Sequence, residues 1–170
     1  DVAYLICRGG WPISVLAQRE IAVDVTKNYF NSLFVFEDCE NERFRKKQPE
    51  VMKMIVRSYA RHISTEAAVS TIIADLRQNN ERTMDVKTYN EYVEALGDLF
   101  ILEDMPAWNP NIRSKTSIRS TPTRHFVDTS IACMALGAGP NDLLKDLESF
   151  GLFFEDMAVR DLRIYAEVNG

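Results

Sequence analysis

The sequence predicts a mainly α-helical fold: a winged helix-turn-helix, made of three helices and a β-hairpin wing, flanked by additional helices. Three observations predict it. Apolar residues recur at helical spacing in three successive stretches, about 50–63, 71–76 and 86–96. A short β-type run, Leu99-Phe100-Ile101-Leu102, follows the third stretch, and His125-Phe126-Val127 offers a returning strand. Between the two runs, Pro106 to Lys115 is rich in turn residues. Three helices and then a hairpin is the order of a winged helix.

The elements follow from local chemistry. Gly9-Gly10-Trp11-Pro12 interrupts an apolar opening, Val2 to Cys7, and Pro12 suits the first turn of a new helix. From about Val15 to Phe36, with no Gly or Pro, the spacing of Leu16, Ile21, Val25, Tyr29, Phe30, Leu33 and Phe34 predicts one long amphipathic helix. The acidic run 37–42 gives way at once to Arg43, Arg45, Lys46 and Lys47, a charge reversal that suits a solvated connector and places a boundary near residue 46. Val51, Met54, Ile55, Ser58, Tyr59 and Ile63 then form one helical face, with Lys53, Arg57 and Arg61 opposite. Ser70 is the expected N-cap of a short second helix, 71–76, and Asn79-Asn80 the expected turn after it. Asp85 is the expected cap of a third helix with Val86, Tyr89, Val93 and Leu96 inward and Lys87, Asn90, Glu91 and Glu94 outward.

Beyond the hairpin, Asp128 or Thr129 caps a helix to Leu136 that ends at Gly137 to Pro140, and Asp142 caps another over Leu143 to Phe150. A last amphipathic helix, Leu152 to Val168, places Phe153, Phe154, Met157, Leu162 and Tyr165 on a face with no visible partner. That face argues for self-association unless the helix folds back.

Composition narrows the function classes. With 170 residues, 46% hydrophobic, the chain can bury a real core, and its 26% charged content is not that of a disordered chain. No apolar stretch approaches the ~20 residues of a membrane span. Cys7, Cys39 and Cys133 are far apart and form neither a disulfide framework nor a zinc motif, so a cytoplasmic protein is expected. The sequence lacks a GxxxxGK[ST] run, a GxGxxG fingerprint and a GxSxG elbow; Leu136-Gly137-Ala138-Gly139-Pro140 has Pro where a phosphate-binding helix would begin. Its two histidines, His62 and His125, stand in no metal-ligand spacing. No catalytic residue, metal site or cofactor is expected.

One charge asymmetry is local. Between Asp104 and Asp128 there is no acid, while Arg113, Lys115, Arg119 and Arg124 give the wing +4 against −9 for the remainder of a chain of net charge −5. A basic wing can contact phosphates, so these four residues, with Lys87 of the third helix, are the candidate nucleic-acid-binding residues. Against DNA reading, the third helix presents Asp85, Glu91 and Glu94, which repel phosphate. Trp11 and Trp108 suit packing better than base stacking.

Five strings in order carry a resemblance: Arg57-Ser58-Tyr59-Ala60-Arg61; Ser70-Thr71-Ile72-Ile73-Ala74-Asp75-Leu76; Tyr92-Val93-Glu94-Ala95-Leu96-Gly97-Asp98-Leu99-Phe100-Ile101; Pro106-Ala107-Trp108-Asn109-Pro110; and Arg124-His125-Phe126-Val127-Asp128-Thr129-Ser130-Ile131-Ala132. With them the chain resembles the C-terminal region, a domain of unknown function, of prokaryotic AAA-type P-loop ATPases. The resemblance implies three segments: residues 1–46, helical, following an ATPase core; 47–127, a winged-helix domain; and 128–170, the truncated start of a restriction-endonuclease-like domain with Glu155 at the family's acidic position. Thr123 departs from the Lys that the family usually shows there, which removes one basic contact. The expected function is a non-catalytic regulatory or interaction module whose partners are the ATPase core of its own longer chain and a second copy; DNA binding through the wing and an inert piece of a metal-dependent nuclease are the alternatives.

Overall fold

The computed structural model describes residues 1–35, 44, 46–80, 83–107 and 121–169. Among them are nine helices: α1 (Val2–Arg8), α2 (Pro12–Leu16), α3 (Arg19–Ser32), α4 (Pro49–Arg61), α5 (Val69–Asn80), α6 (Val86–Asp98), α7 (Thr129–Leu136), α8 (Pro140–Lys145) and α9 (Leu147–Asn169). The protein is mainly helical, as its periodicity predicts. Cys39, the acidic run 37–42, Arg43, Arg45 and Trp108 lie outside the described residues.

Helix α4 is the centre of the molecule, in contact with α5, α6 and α7. Pro49 opens it at a position where a missing N–H costs nothing. The sequence showed one apolar face; the structure buries Met52, Val56 and Ala60 as well as Val51, Ile55, Ser58 and Tyr59, because neighbours cover the helix on more than one side. Tyr59 stands edge-on to Phe126, with ring centroids 5.8 Å apart. A single hydrophobic cluster runs from Ala3 and Ile6 through Ile55, Leu96 and Ile131 to Phe153, drawing on all three expected segments.

The long helix expected over 15–36 is instead two helices. Ala17 and Gln18 are extended, with ψ of 156° and 144°, and α3 packs beside α2. In one continuous helix Trp11 and Tyr29 would stand ~27 Å apart; their ring centroids are 4.3 Å apart. The break also lets Ser14 and Thr26 both donate to the carbonyl of Arg8, at 3.2 and 2.6 Å. That carbonyl ends α1 and has no partner within its own helix.

Helix α5 is longer than expected, so Ser70 lies inside it and Asn79-Asn80 continues it rather than turning. Asn79 holds that last turn by donating to the Asp75 side chain one turn earlier, at 2.8 Å. Asp85 caps α6 as expected, accepting from the Thr88 N–H at 2.9 Å. In α6 the buried face is Tyr89, Tyr92, Ala95 and Leu96, whereas Val86 is exposed.

Leu99 and Phe100 are not strand. They close α6 in a turn, with Phe100 at φ 54° and exposed, and the Ile101 N–H returning to the Leu96 carbonyl. No β-sheet forms among the described residues. Two isolated antiparallel bridges, Leu102 to Phe126 and Met105 to Thr123, join the segments expected to flank the wing. Residues 108–120, where its tip would be, lie outside the described residues.

Asp128 caps α7, and Gly137 ends it in the left-handed conformation at φ 69°. The helix expected over 143–150 is again two. Asp142 is the third residue of α8 and accepts from the Gly139 N–H at 3.0 Å, while Asp146 caps α9 through the Ser149 N–H and hydroxyl at 3.1 and 2.6 Å. Helix α9 therefore starts at Leu147 rather than Leu152. Its first half folds back and buries Phe153; Phe154 and Tyr165 remain exposed.

Asp75 clamps α4 to α5. It accepts from Ser58, and from Arg61 Nε at 2.9 Å and Nη2 at 2.5 Å. Burial pushes its carboxyl up, but the hydrogen bonds from Arg61 and Ser58 more than offset that and hold it below the ordinary Asp range. A carboxyl depressed in the folded state stabilises above its unfolded value and loses that contribution as pH falls through the folded one. Asp75→Asn is therefore expected to flatten the loss of stability between pH 7 and about pH 3. Urea midpoints measured across that range check this; identical pH profiles for the two proteins would count against the clamp.

Candidate functional site

The string Arg124 to Ser130, the most distinctive in the sequence, leads into α7 and has its polar side chains turned inward. Arg124, His125, Asp128, Thr129 and Ser130 are all buried, with at most 5% of their surface exposed. Each is placed by its partner.

Arg124 donates from Nη1 to Asp104 at 2.5 Å and from Nε to the Ala67 carbonyl at 3.0 Å. The same Asp104 accepts the Tyr59 hydroxyl. Burial, then the neighbouring Asp104 charge, raises the Tyr59 phenol far above its usual range, so it stays a proton donor. Burial likewise raises Tyr89, whose hydroxyl has no partner among the described residues. Arg124 is thus a buried tie between the 101–105 segment, α4 and the chain entering α5. Of the candidate nucleic-acid contacts, Arg124 does not face solvent, Lys87 is exposed on α6, and Arg113, Lys115 and Arg119 lie outside the described residues. The structure brings none of the described candidates together.

His125 meets Asp156 of α9 through Nδ1, at 2.8 Å. Asp156 also accepts the Phe126 N–H at 3.1 Å and the Thr129 hydroxyl at 2.6 Å. A carboxylate offers only lone pairs, which assigns a proton to Nδ1; Nε2 is buried and has no partner among the described residues.

Asp128 is the third junction. One oxygen accepts the Ser130 N–H and hydroxyl at 2.9 and 2.6 Å. The other accepts the Gly10 N–H at 2.8 Å and Arg160 of α9 at 2.7 Å. Trp11 donates its indole N–H to Ser130 Oγ at 3.0 Å. The turn after α1, the start of α7 and the middle of α9 are therefore fastened at one point. Gly9 is required there: it has φ 73°, and a Cβ on it would overlap Ser130 and Asp128.

Serine, histidine and aspartate thus stand within one cluster without forming a nucleophile and its base. Ser130 donates to Asp128 and Thr129 to Asp156; neither is hydrogen-bonded to His125. Cys7 and Cys133 are buried free thiols, and the hydrogen bond with Cys7, together with burial, raises Cys133 well above its usual range, away from thiolate chemistry. Among the described residues no group of three or more His, Cys, Asp or Glu could hold a metal ion.

Sequence reasoning missed Asp104, Asp156 and Arg160. For the last two a signal existed: Phe153, Asp156 and Arg160 share one face of α9, and a charged pair on the apolar face of an amphipathic helix needs buried partners. The Glu155 singled out by the resemblance is exposed.

Gly9→Ala is expected to cost about 2–4 kcal/mol, from left-handed strain plus the overlap. Gly137→Ala, at a similar φ with open space around it, should cost only ~1 kcal/mol. Chemical denaturation of both variants separates the two contributions. Arg124→Ala should cost about 2 kcal/mol by leaving the partly buried Asp104 without its counter-charge, while Lys87→Ala stays within ~0.5 kcal/mol; equal stabilities for these two would overturn the structural role of Arg124.

A family model described as "Domain of unknown function (DUF8612)" matches residues 1–142, across the expected divisions at 46 and 127. No curated protein and no solved structure matches the chain.

Proposed function

This chain belongs to the family described as a domain of unknown function (DUF8612), and from that premise we propose that it is a non-catalytic regulatory or interaction module. The observation that carries this reading is the inward commitment of the 124–130 side chains. The groups best suited to chemistry, His125, Asp128, Ser130 and Asp156, are each at most 5% exposed and are spent on tying helices together. What remains for a partner is the outer surface, with its exposed charges and its exposed apolar side chains.

The finer parts of the reading belong to the same proposal. Mutual contacts among α4, α5 and α6, and the antiparallel pairing of 101–105 with 123–127, support a winged helix. The five-string resemblance supports a place beside the ATPase core of an AAA-type protein, where a domain tied internally from its first helix to its last would respond as one body to a push on α1. DNA binding is the weaker reading, because Arg124 is buried and the exposed Lys87 shares α6 with the exposed Glu91. An endonuclease role is weaker still, since it has in its favour only the resemblance and the exposed Glu155.

The purified chain is expected to release no phosphate from ATP and to leave plasmid DNA intact with Mg²⁺. It should also show no salt-dependent anisotropy change on a short duplex. ATP turnover or DNA cleavage abolished by a substitution within this chain would overturn the proposal, and tight duplex binding that weakens steeply with salt would replace it with the DNA reading.

A further inference from the structure

Exposed apolar side chains gather on one face of the protein, built by α2 and α3. In α2, Ile13 and Leu16 stand three residues apart on one side of the helix, 74% and 87% exposed. In α3, Ile21, Val25 and Tyr29 follow at four-residue spacing and form a second stripe, with Ile21 half exposed and Tyr29 exposed over more than a third of its surface. The break at Ala17-Gln18 lays the two helices side by side, and an open groove of about 430 Å³ runs between them.

Trp11, Pro12, Ile13, Val25 and Tyr29 wall this groove, and its polar lining is Thr26, Asn28 and Ser32. The Thr26 and Ser32 hydroxyls are already donated to backbone carbonyls at 2.6 and 2.7 Å. Among the described residues no charged side chain lines it. The groove therefore asks for an apolar, uncharged occupant. The same face carries one: Leu16, at the end of α2, projects almost wholly into solvent beside the hollow. A patch that holds both a hollow and an apolar projection is complementary to itself when turned about a two-fold axis.

We propose that this chain pairs with a second copy of itself through the α2–α3 face, Leu16 of each copy seating in the groove of the other with Ile13 and Ile21 packed around it. The proposal deepens the interaction reading above, rests on it, and names the partner. Size supports this occupant. Covering Ile13, Leu16, Ile21, Tyr29 and the groove wall removes roughly 500 Å² of surface from each copy, so the pair reaches the ~1,000 Å² that a specific, weak interface needs. Charge does not oppose it, because beside the α3 stripe the exposed Glu20 and Asp24 are balanced by the exposed Arg19 and Lys27. One surface meets its own copy, so the contact is isologous and closes at two chains.

Sedimentation velocity tests this over roughly 10–300 µM, the range suited to a small interface. The wild type should pass from monomer to dimer mass with concentration and stop there. Leu16→Glu and Ile13→Glu, both at exposed positions and checked for unchanged circular dichroism, should each weaken the pairing by about tenfold or more. Val86→Glu, which adds the same charge at an exposed apolar position on α6, should pair as the wild type does. Growth beyond two copies overturns the proposal, and so does a Leu16→Glu protein that pairs undiminished. A Val86→Glu protein weakened as much as the other two also overturns it, because added charge rather than the α2–α3 face would then be responsible. A wild type that is monomeric throughout overturns the self-pairing while leaving the interaction reading to stand on the turnover and DNA-binding measurements above.

Discussion

Four hydrogen bonds converge on the Asp128 carboxylate, and the arrangement of the N-terminal third, α7 and α9 depends on them. Carrying a carboxylate out of water is expensive unless its lone pairs are filled and an opposite charge is near. Asp128 meets both conditions through groups from three distant parts of the chain: Gly10 before α2, Ser130 at the start of α7, and Arg160 on α9. Removing any one leaves the others with a desolvated charge. The same constraint explains the backbone at Gly9, where a side chain would occupy the space Asp128 and Ser130 need.

Asp156 and Asp104 repeat the device at neighbouring points. Asp156 gathers His125, Thr129 and the Phe126 N–H, and Asp104 gathers Arg124 and Tyr59. Three acids thus stitch the 124–130 segment to α4, to the 101–105 segment and to α9. Directional contacts of this kind specify one arrangement among helices whose apolar faces alone would accept several. They also account for why so polar a string yields no reactive centre: its side chains are each other's partners. The fold leaves the groove between α2 and α3 open, and its wall is mostly apolar.

Much of the local structure was legible from residues close in sequence. Asp85 and Asp128 cap their helices through N–H groups two or three residues on, and Gly137 takes the left-handed conformation that ends α7. These depend on chemistry within one turn. The misplaced boundaries had distant causes. The break at Ala17-Gln18 answers to the Arg8 carbonyl and the Trp11–Tyr29 contact, and α4 is buried on a second side because α7, some seventy residues later, covers it. Arg124 was read as part of a basic surface because charge counting does not register Asp104 twenty residues away.

By itself, then, the sequence determined that the protein is mainly helical, that Asp85 and Asp128 cap their helices, which faces are apolar, and that the familiar cofactor and nucleophile motifs are missing. Periodicity and capping are set within a turn or two of backbone, so one strand of text contains them. Tertiary structure alone decided that Arg124, His125, Asp128 and Ser130 are internal ties and that Asp156, not Glu155, is the buried acid of α9. It also decided that the first helix is fastened to the last. Whether a charged side chain meets solvent or a counter-charge depends on what another part of the chain brings to it, and that is a property of the fold.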